Sequence, residues 1–110
     1  MNQITIFDLI EEPKAAPVFP GSDFSEIVEY IGQSLGIEFK PHDKWEGYYI
    51  YKFKNGLKLE IHESRYSYPY RNGEPFISVG HDYKLGGGGS PSDTIEQAIK
   101  YFKYVIDVCR

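Results

Sequence analysis

The chain is poor in cysteine, methionine and tryptophan, with one of each in 110 residues. A lone Cys109 leaves no intrachain disulfide and no thiolate zinc site, and it points to a cytoplasmic address. Positive charge is also in deficit. Twelve Lys and Arg against sixteen Asp and Glu give a net charge of −4, which works against an electrostatic grip on nucleic acid. No apolar run approaches the ~20 residues that cross a bilayer, so no membrane partner is expected. The opening residues lack the basic start and long apolar stretch of a signal peptide. No cofactor motif is present, and no Ser-His-Asp set can be placed. Aromatic rings are what the chain has in excess: ten Tyr, seven Phe and one Trp, 16% of all residues, too many for a disordered segment.

The chain divides into three parts. Residues 1–9 read as a peptide arm. Residues 10–21 hold Pro13, Pro17 and Pro20 and read as a semi-rigid spacer. Residues 22–110 form a single α+β domain. Its first helix is predicted over 23–35, where Phe24, Ile27, Val28, Ile31 and Leu35 recur at helical spacing. Asp23 and Glu26 are placed as a capping box, and Gly36 is a natural stop. A last helix is expected from Ser90, with Ser90 as cap, Pro91 at the first helical position and Asp93 as acidic partner. Its buried stripe is Ile95, Ala98, Ile99, Phe102, Val105 and Ile106.

Between the helices, Asn55-Gly56 and Asn72-Gly73 are hairpin signals, because a two-residue type I′ turn needs positive φ at both central residues. They predict strands over 47–54, 57–70 and 75–84, a three-stranded antiparallel meander with two helices on one face. Residues 37–40 are a candidate extra edge strand. With two-residue turns, Lys54 pairs with Leu57 and Arg71 with Glu74. Leu57, Leu59 and Ile61 then share a face with Tyr48 and Ile50, while Ile77 and Val79 fall on the opposite one. Strict alternation cannot bury both sets on one side, so a β-bulge is expected near residues 63–65.

In that register the face away from the helices carries Tyr49, Tyr51, Phe53, Lys58, Glu60 and His62. With Tyr66 and Tyr68 from the hairpin, these rings form a candidate partner-binding surface, since amphipathic rings give contact area at low entropic cost. Two other readings stay open. The rings stabilise the sheet as cross-strand pairs or lie under a neighbouring segment, or they stack on single-stranded nucleic acid, with Arg65 and Arg71 nearby.

The arm carries Gln3, Ile4, Thr5, Ile6 and Phe7. A glutamine, two variable residues, an aliphatic residue and a phenylalanine resemble the sliding-clamp-binding peptide of bacterial replication and repair proteins. The resemblance implies that Gln3 hydrogen-bonds at the edge of a clamp pocket while Ile6 and Phe7 fill its apolar cleft. Starts of this kind are similar to those of small phage and conjugative-element proteins of Gram-positive bacteria. The same residues alternate well enough to serve as a strand.

Three further features are weaker. The run Gly86 to Gly89 ahead of a helix could cradle phosphate, but Pro91 and Asp93 stand where a phosphate loop needs lysine and a hydroxyl; chain reversal is the better use. His42, His62 and His81 each precede an acid, which offers a metal site or an acid–base pair. Adjacent strand residues point to opposite faces, however, so surface histidines are the better reading and no metal is expected. The α-β-β-β-α order resembles the double-stranded-RNA-binding domain over residues 22–110. That family carries lysines at the start of its second helix, where this chain has Ser92, Asp93 and Glu96. The expectation is therefore a non-enzymatic interaction protein of a bacterial mobile element, docking through its arm and binding a protein partner. Single-strand nucleic-acid binding and a small histidine–acid enzyme are the alternatives.

Overall fold

The computed structural model describes residues 16–65 and 73–110. They form an α+β fold in the order α1 (Phe24–Leu35), β1 (Lys40–Pro41), β2 (Tyr48–Lys52), β3 (Lys58–Arg65), β4 (Pro75–Tyr83), β5 (Gly86–Ser92) and α2 (Ile95–Val108). The expected three strands are five, all antiparallel, and they lie side by side in chain order.

Helix α1 forms as its apolar spacing dictates, burying Ile27, Val28, Ile31 and Gly32. Gly36 ends it in the left-handed region, φ 74°. Asp23 does sit at the N-cap, but its side chain makes no capping bond; its carbonyl accepts from Glu26 and Ile27 instead. Helix α2 starts later than expected. Thr94 is the cap, its hydroxyl accepting from the Gln97 amide at 3.1 Å, while the Gln97 side chain accepts from the Asp93 amide at 2.7 Å. This reciprocal pair displaces Ser90 from the capping role.

Ser90 and Pro91 belong instead to β5, which absorbs the glycine run that was expected to be a loop. Lys84 and Leu85 make the reversal from β4, with Lys84 at φ 37° and its ammonium 4.9 Å from the centroid of the Tyr83 ring. The glycines serve close approach between strands. A Cβ on Gly87 would run into the His81 carbonyl oxygen, so only glycine lets β5 lie this near β4.

The β2–β3 connection sets which side chains meet the core. Gly56 has positive φ, 100°, but Asn55 does not, so the type I′ turn is not made. Residues 54–56 form a three-residue loop, closed by the Phe53 amide to the Leu57 carbonyl at 2.8 Å and the Gly56 amide to the Phe53 carbonyl at 3.1 Å. Asn55 is held by its side chain, which accepts from the Leu57 amide and donates to the Cys109 carbonyl, each at 3.0 Å. One extra loop residue shifts the register by one and turns over every β2 side chain. Tyr49 lies opposite Ile61 and Tyr51 opposite Leu59.

The expected bulge is absent too. The β3–β4 ladder runs without a break from Lys58↔Asp82 to Arg65↔Pro75. Leu59, Ile61, Val79 and Ile77 reach one face because the register sets Ile61 opposite Val79 and Glu63 opposite Ile77, so the odd-numbered residues of both strands point the same way. The core lies on that face. Ile27, Val28 and Ile31 of α1 and Ile95, Ala98, Phe102 and Val105 of α2 pack with Leu57, Leu59, Ile61, Ile77 and Val79. Phe102 is fully buried, its ring centroid 5.6 Å from that of Phe39. Burial of such a ring stabilises by about 1.5–3 kcal/mol. Phe19, inside the region read as spacer, packs against the same core.

Gly32 gives a direct check on how α1 sits. A Cβ there would stand 2.7 Å from the Ile37 carbonyl oxygen, a backbone atom with little freedom to move. Helix propensity favours Ala over Gly by about 1 kcal/mol, but overpacking costs roughly 1–3 kcal/mol. Gly32→Ala should therefore lower the urea midpoint, with a net loss of about 1 kcal/mol. A raised midpoint would contradict the packing of α1 on the 37–39 segment.

Candidate functional site

The registers divide the sheet into two unlike faces. The odd-numbered face meets the helices and carries Tyr49, Tyr51 and Phe53, all half-buried against the core. Phe24 of α1 lies over Tyr49, ring centroids 6.2 Å apart. These three rings were expected on the bare face, and the three-residue turn is what moves them. Tyr66 and Tyr68 lie outside the described residues, as do Gln3, Ile6 and Phe7 of the arm.

The even-numbered face keeps His62 and gains Tyr48 and Ile50, with Lys52, Lys58, Glu60 and Asp82 beside them. Gly80 and Gly89 continue the row of Ile50 and Glu60 across β4 and β5. No described helix packs on this side. Its end at Ser64 is closed, because Phe76, opposite Ser64, is only 2% exposed.

The opposite end is aromatic. Tyr48 and His62 are cross-strand partners with rings stacked 4.4 Å apart at 14°. The segment between β1 and β2 then folds two more rings onto them. His42 meets Tyr48 edge-on at 5.6 Å and stacks on Trp45 at 4.8 Å and 11°; Trp45 meets Tyr48 edge-on at 5.3 Å. Trp45 is 58% exposed, the outermost ring of this cluster. A large aromatic side chain held rigid yet facing solvent costs little entropy to bury in a complex.

Backbone hydrogen bonds fix the cluster. The His42 amide donates to the Tyr48 carbonyl at 2.7 Å, and the Tyr48 amide donates to the Trp45 carbonyl at 3.3 Å. The His42 ring holds the turn from inside. Its Nδ1 accepts from the amides of Lys44 at 3.0 Å and Trp45 at 3.3 Å. An accepting Nδ1 carries no proton, so the neutral ring bears its hydrogen on Nε2.

Electrostatics at this end centre on Glu60. The Tyr48 hydroxyl donates to Glu60 Oε1 at 3.2 Å, and Lys58 Nζ lies 3.0 Å from Oε2. Burial, helped by the charge of Glu60 and this hydrogen bond, raises the Tyr48 pKa above its ordinary value and keeps the phenol neutral. Burial lowers the His62 pKa, and the Glu60 charge opposes without cancelling it.

The other two histidines part company. His81 lies opposite Leu59, on the odd-numbered face, so it cannot join His62 in one centre. Its Nδ1 is 2.7 Å from the Tyr101 hydroxyl, which in turn donates to the Gly88 carbonyl at 3.3 Å. Burial raises the Tyr101 pKa, with the charges of Cys109 and Glu60 adding to it. This chain of bonds pins α2 to β4 and β5 and needs no catalytic role.

Trp45 was not singled out in the sequence, His42 was noted only among the histidine–acid pairs, and Tyr48 was expected on the helix-covered face. A signal was there: His42, Trp45 and Tyr48 follow one another at intervals of three, and Gly47 supplies positive φ, 76°, for the reversal between them. In comparisons with known proteins, no family model, no curated protein and no solved structure matches the chain.

His62 makes stability depend on pH in a definite sense. Its folded-state pKa lies below the ordinary 6.5. Between those two values the unfolded chain binds more protons, so stability is complete above pH 6.5 and falls as pH drops toward the folded-state value. The urea midpoint of the protein should decline over this interval, and His62→Gln should flatten the decline. An unaltered slope in the variant would count against the burial of His62 beneath Tyr48.

Proposed function

We propose that this chain is a non-enzymatic interaction module that grips a protein partner with the even-numbered sheet face, Trp45 serving as anchor. The observation that supports it most is the solvent-facing Trp45 seated on His42 and Tyr48 beside the ion-paired Glu60. An aromatic anchor ringed by polar groups is the usual make-up of an interface hot spot.

A protein suits this surface better than a nucleic acid. Tyr48 already stacks on His62 and Trp45 on His42, so each ring has one face occupied. Lys58 is paired with Glu60 and Lys40 with Glu38, and the whole chain carries −4. Stacking of bases would want free rings and unpaired cations.

The arm completes the reading. Gln3, Ile6 and Phe7, in their resemblance to a clamp-binding peptide, would carry the domain to the replication sliding clamp, where the sheet face meets its partner. An accessory protein of a bacterial mobile element fits this pairing of recruitment peptide and small binding domain.

Trp45→Ala tests the face. Capture of the partner from nuclease-treated lysate should fall about 30-fold, the consequence of losing a hot spot worth about 2 kcal/mol. Stability should stay within about 0.5 kcal/mol, because the ring is exposed on a turn. Equal capture by both proteins, or capture that nuclease abolishes, would contradict the proposal. The arm has its own assay: Phe7→Ala should lose retention on purified clamp, and equal retention removes the docking role.

A further inference from the structure

The His42 ring is the sole side chain, among the hydrogen bonds of the described residues, that accepts from the backbone of the turn carrying Trp45. That acceptance exists only while Nδ1 is unprotonated. Asp43 Oδ1 stands 3.4 Å from the same nitrogen, placed to accept a hydrogen bond from Nδ1 once that nitrogen carries a proton. We infer that His42 is a protonation switch for the Trp45 anchor. In the neutral form Nδ1 holds the amides of Lys44 and Trp45 and presents the indole; in the protonated form Nδ1 donates to Asp43 and releases both amides. The inference rests on the reading of Trp45 as the binding anchor and adds its regulation.

The groups facing His42 determine how the two forms differ. Asp43 favours the imidazolium by charge. Stacking on the Trp45 ring also favours a cation. The Lys44 and Trp45 amides oppose it, since an N–H on Nδ1 would point at two other N–H groups and leave them without their acceptor. Tyr48 touches the ring edge-on, and its hydroxyl is engaged with Glu60 on the far side. The proton therefore cannot be added without exchanging partners. Either form is a defined geometry, and they differ in whether the Trp45 amide is tethered.

His42→Asn is the informative variant. An asparagine side-chain oxygen accepts from amides two and three residues on, as in an Asx turn, and it does not titrate. Nitrogen-15 shifts of the His42 ring, with amide-proton shifts of Lys44 and Trp45, are followed from pH 8 to pH 5. The neutral ring should report a protonated Nε2, and both amides should move upfield with the same midpoint as the ring. Acrylamide quenching of Trp45 should rise at least twofold over that range. In His42→Asn the amides and the quenching should stay constant, while His62→Gln should leave the response in place. The inference is overturned if the ring titrates without moving the two amides, or if His42→Asn keeps the response. These readouts need no partner, so they stand or fall separately from capture by Trp45. If the amides switch but Trp45→Ala captures as well as the wild type, the switch survives and the binding role does not.

Discussion

Residue 56 is the place where backbone sterics decide what this surface is. A type I′ reversal demands two left-handed residues in succession, and here only glycine takes that conformation. Asn55 instead spends its side chain on the Leu57 amide and on the Cys109 carbonyl at the end of α2. The loop accordingly takes a third residue, and β2 is turned over. Tyr49, Tyr51 and Phe53 go under the helices, while Tyr48 comes out to stack on His62. A tether from the turn to the last helix thus couples the choice of sheet face to the docking of α2.

Two kinds of aromatic packing follow from this division. On the covered face, rings such as Tyr49 and Phe53 surround an aliphatic centre and contribute buried area. On the other face, four rings lean on one another with no helix of the described residues above them, and their order depends on backbone bonds of the 42–48 segment. Polar groups hold each set in place differently. His81 and Tyr101 tie the helix to β5, whereas Glu60 anchors the Tyr48 hydroxyl from its own strand neighbourhood. The glycines of β5 and Gly80 leave the middle of the open face low beside these taller side chains.

Much of the fold was legible because periodicity is a strong signal. The stripes of α1 and α2 and the apolar alternation of β3 and β4 needed only spacing to be read. Parity was not legible, since Asn-Gly serves two-residue and three-residue loops alike. The composition of β2 held the missing clue. One parity offers Tyr49, Tyr51 and Phe53, the other Tyr48, Ile50 and Lys52, and a core prefers the set without lysine. Strand β5 gave no clue of its own, because glycine carries no side chain to alternate. Its turn was equally silent, being built on Lys84 in a conformation that lysine rarely adopts. The start of α2 was misplaced for a related reason. Ser90, Pro91 and Asp93 look like a helix entry, and only the pairing of β5 with β4 shows that they come too early. Trp45 escaped notice because it lies in a loop between predicted elements, where the three-residue spacing of His42, Trp45 and Tyr48 belongs to no helix or strand; its partners are set by the fold of a short turn.

The orientation of β2 is open to one direct measurement, the nuclear Overhauser contacts of the Tyr48 and Tyr49 rings in solution. The account predicts cross-peaks from Tyr49 to Phe24 of α1 and from Tyr48 to His62 and Trp45. Cross-peaks from Tyr48 to Phe24 or Ile27, with Tyr49 facing His62, would contradict it and return the sheet to the opposite parity.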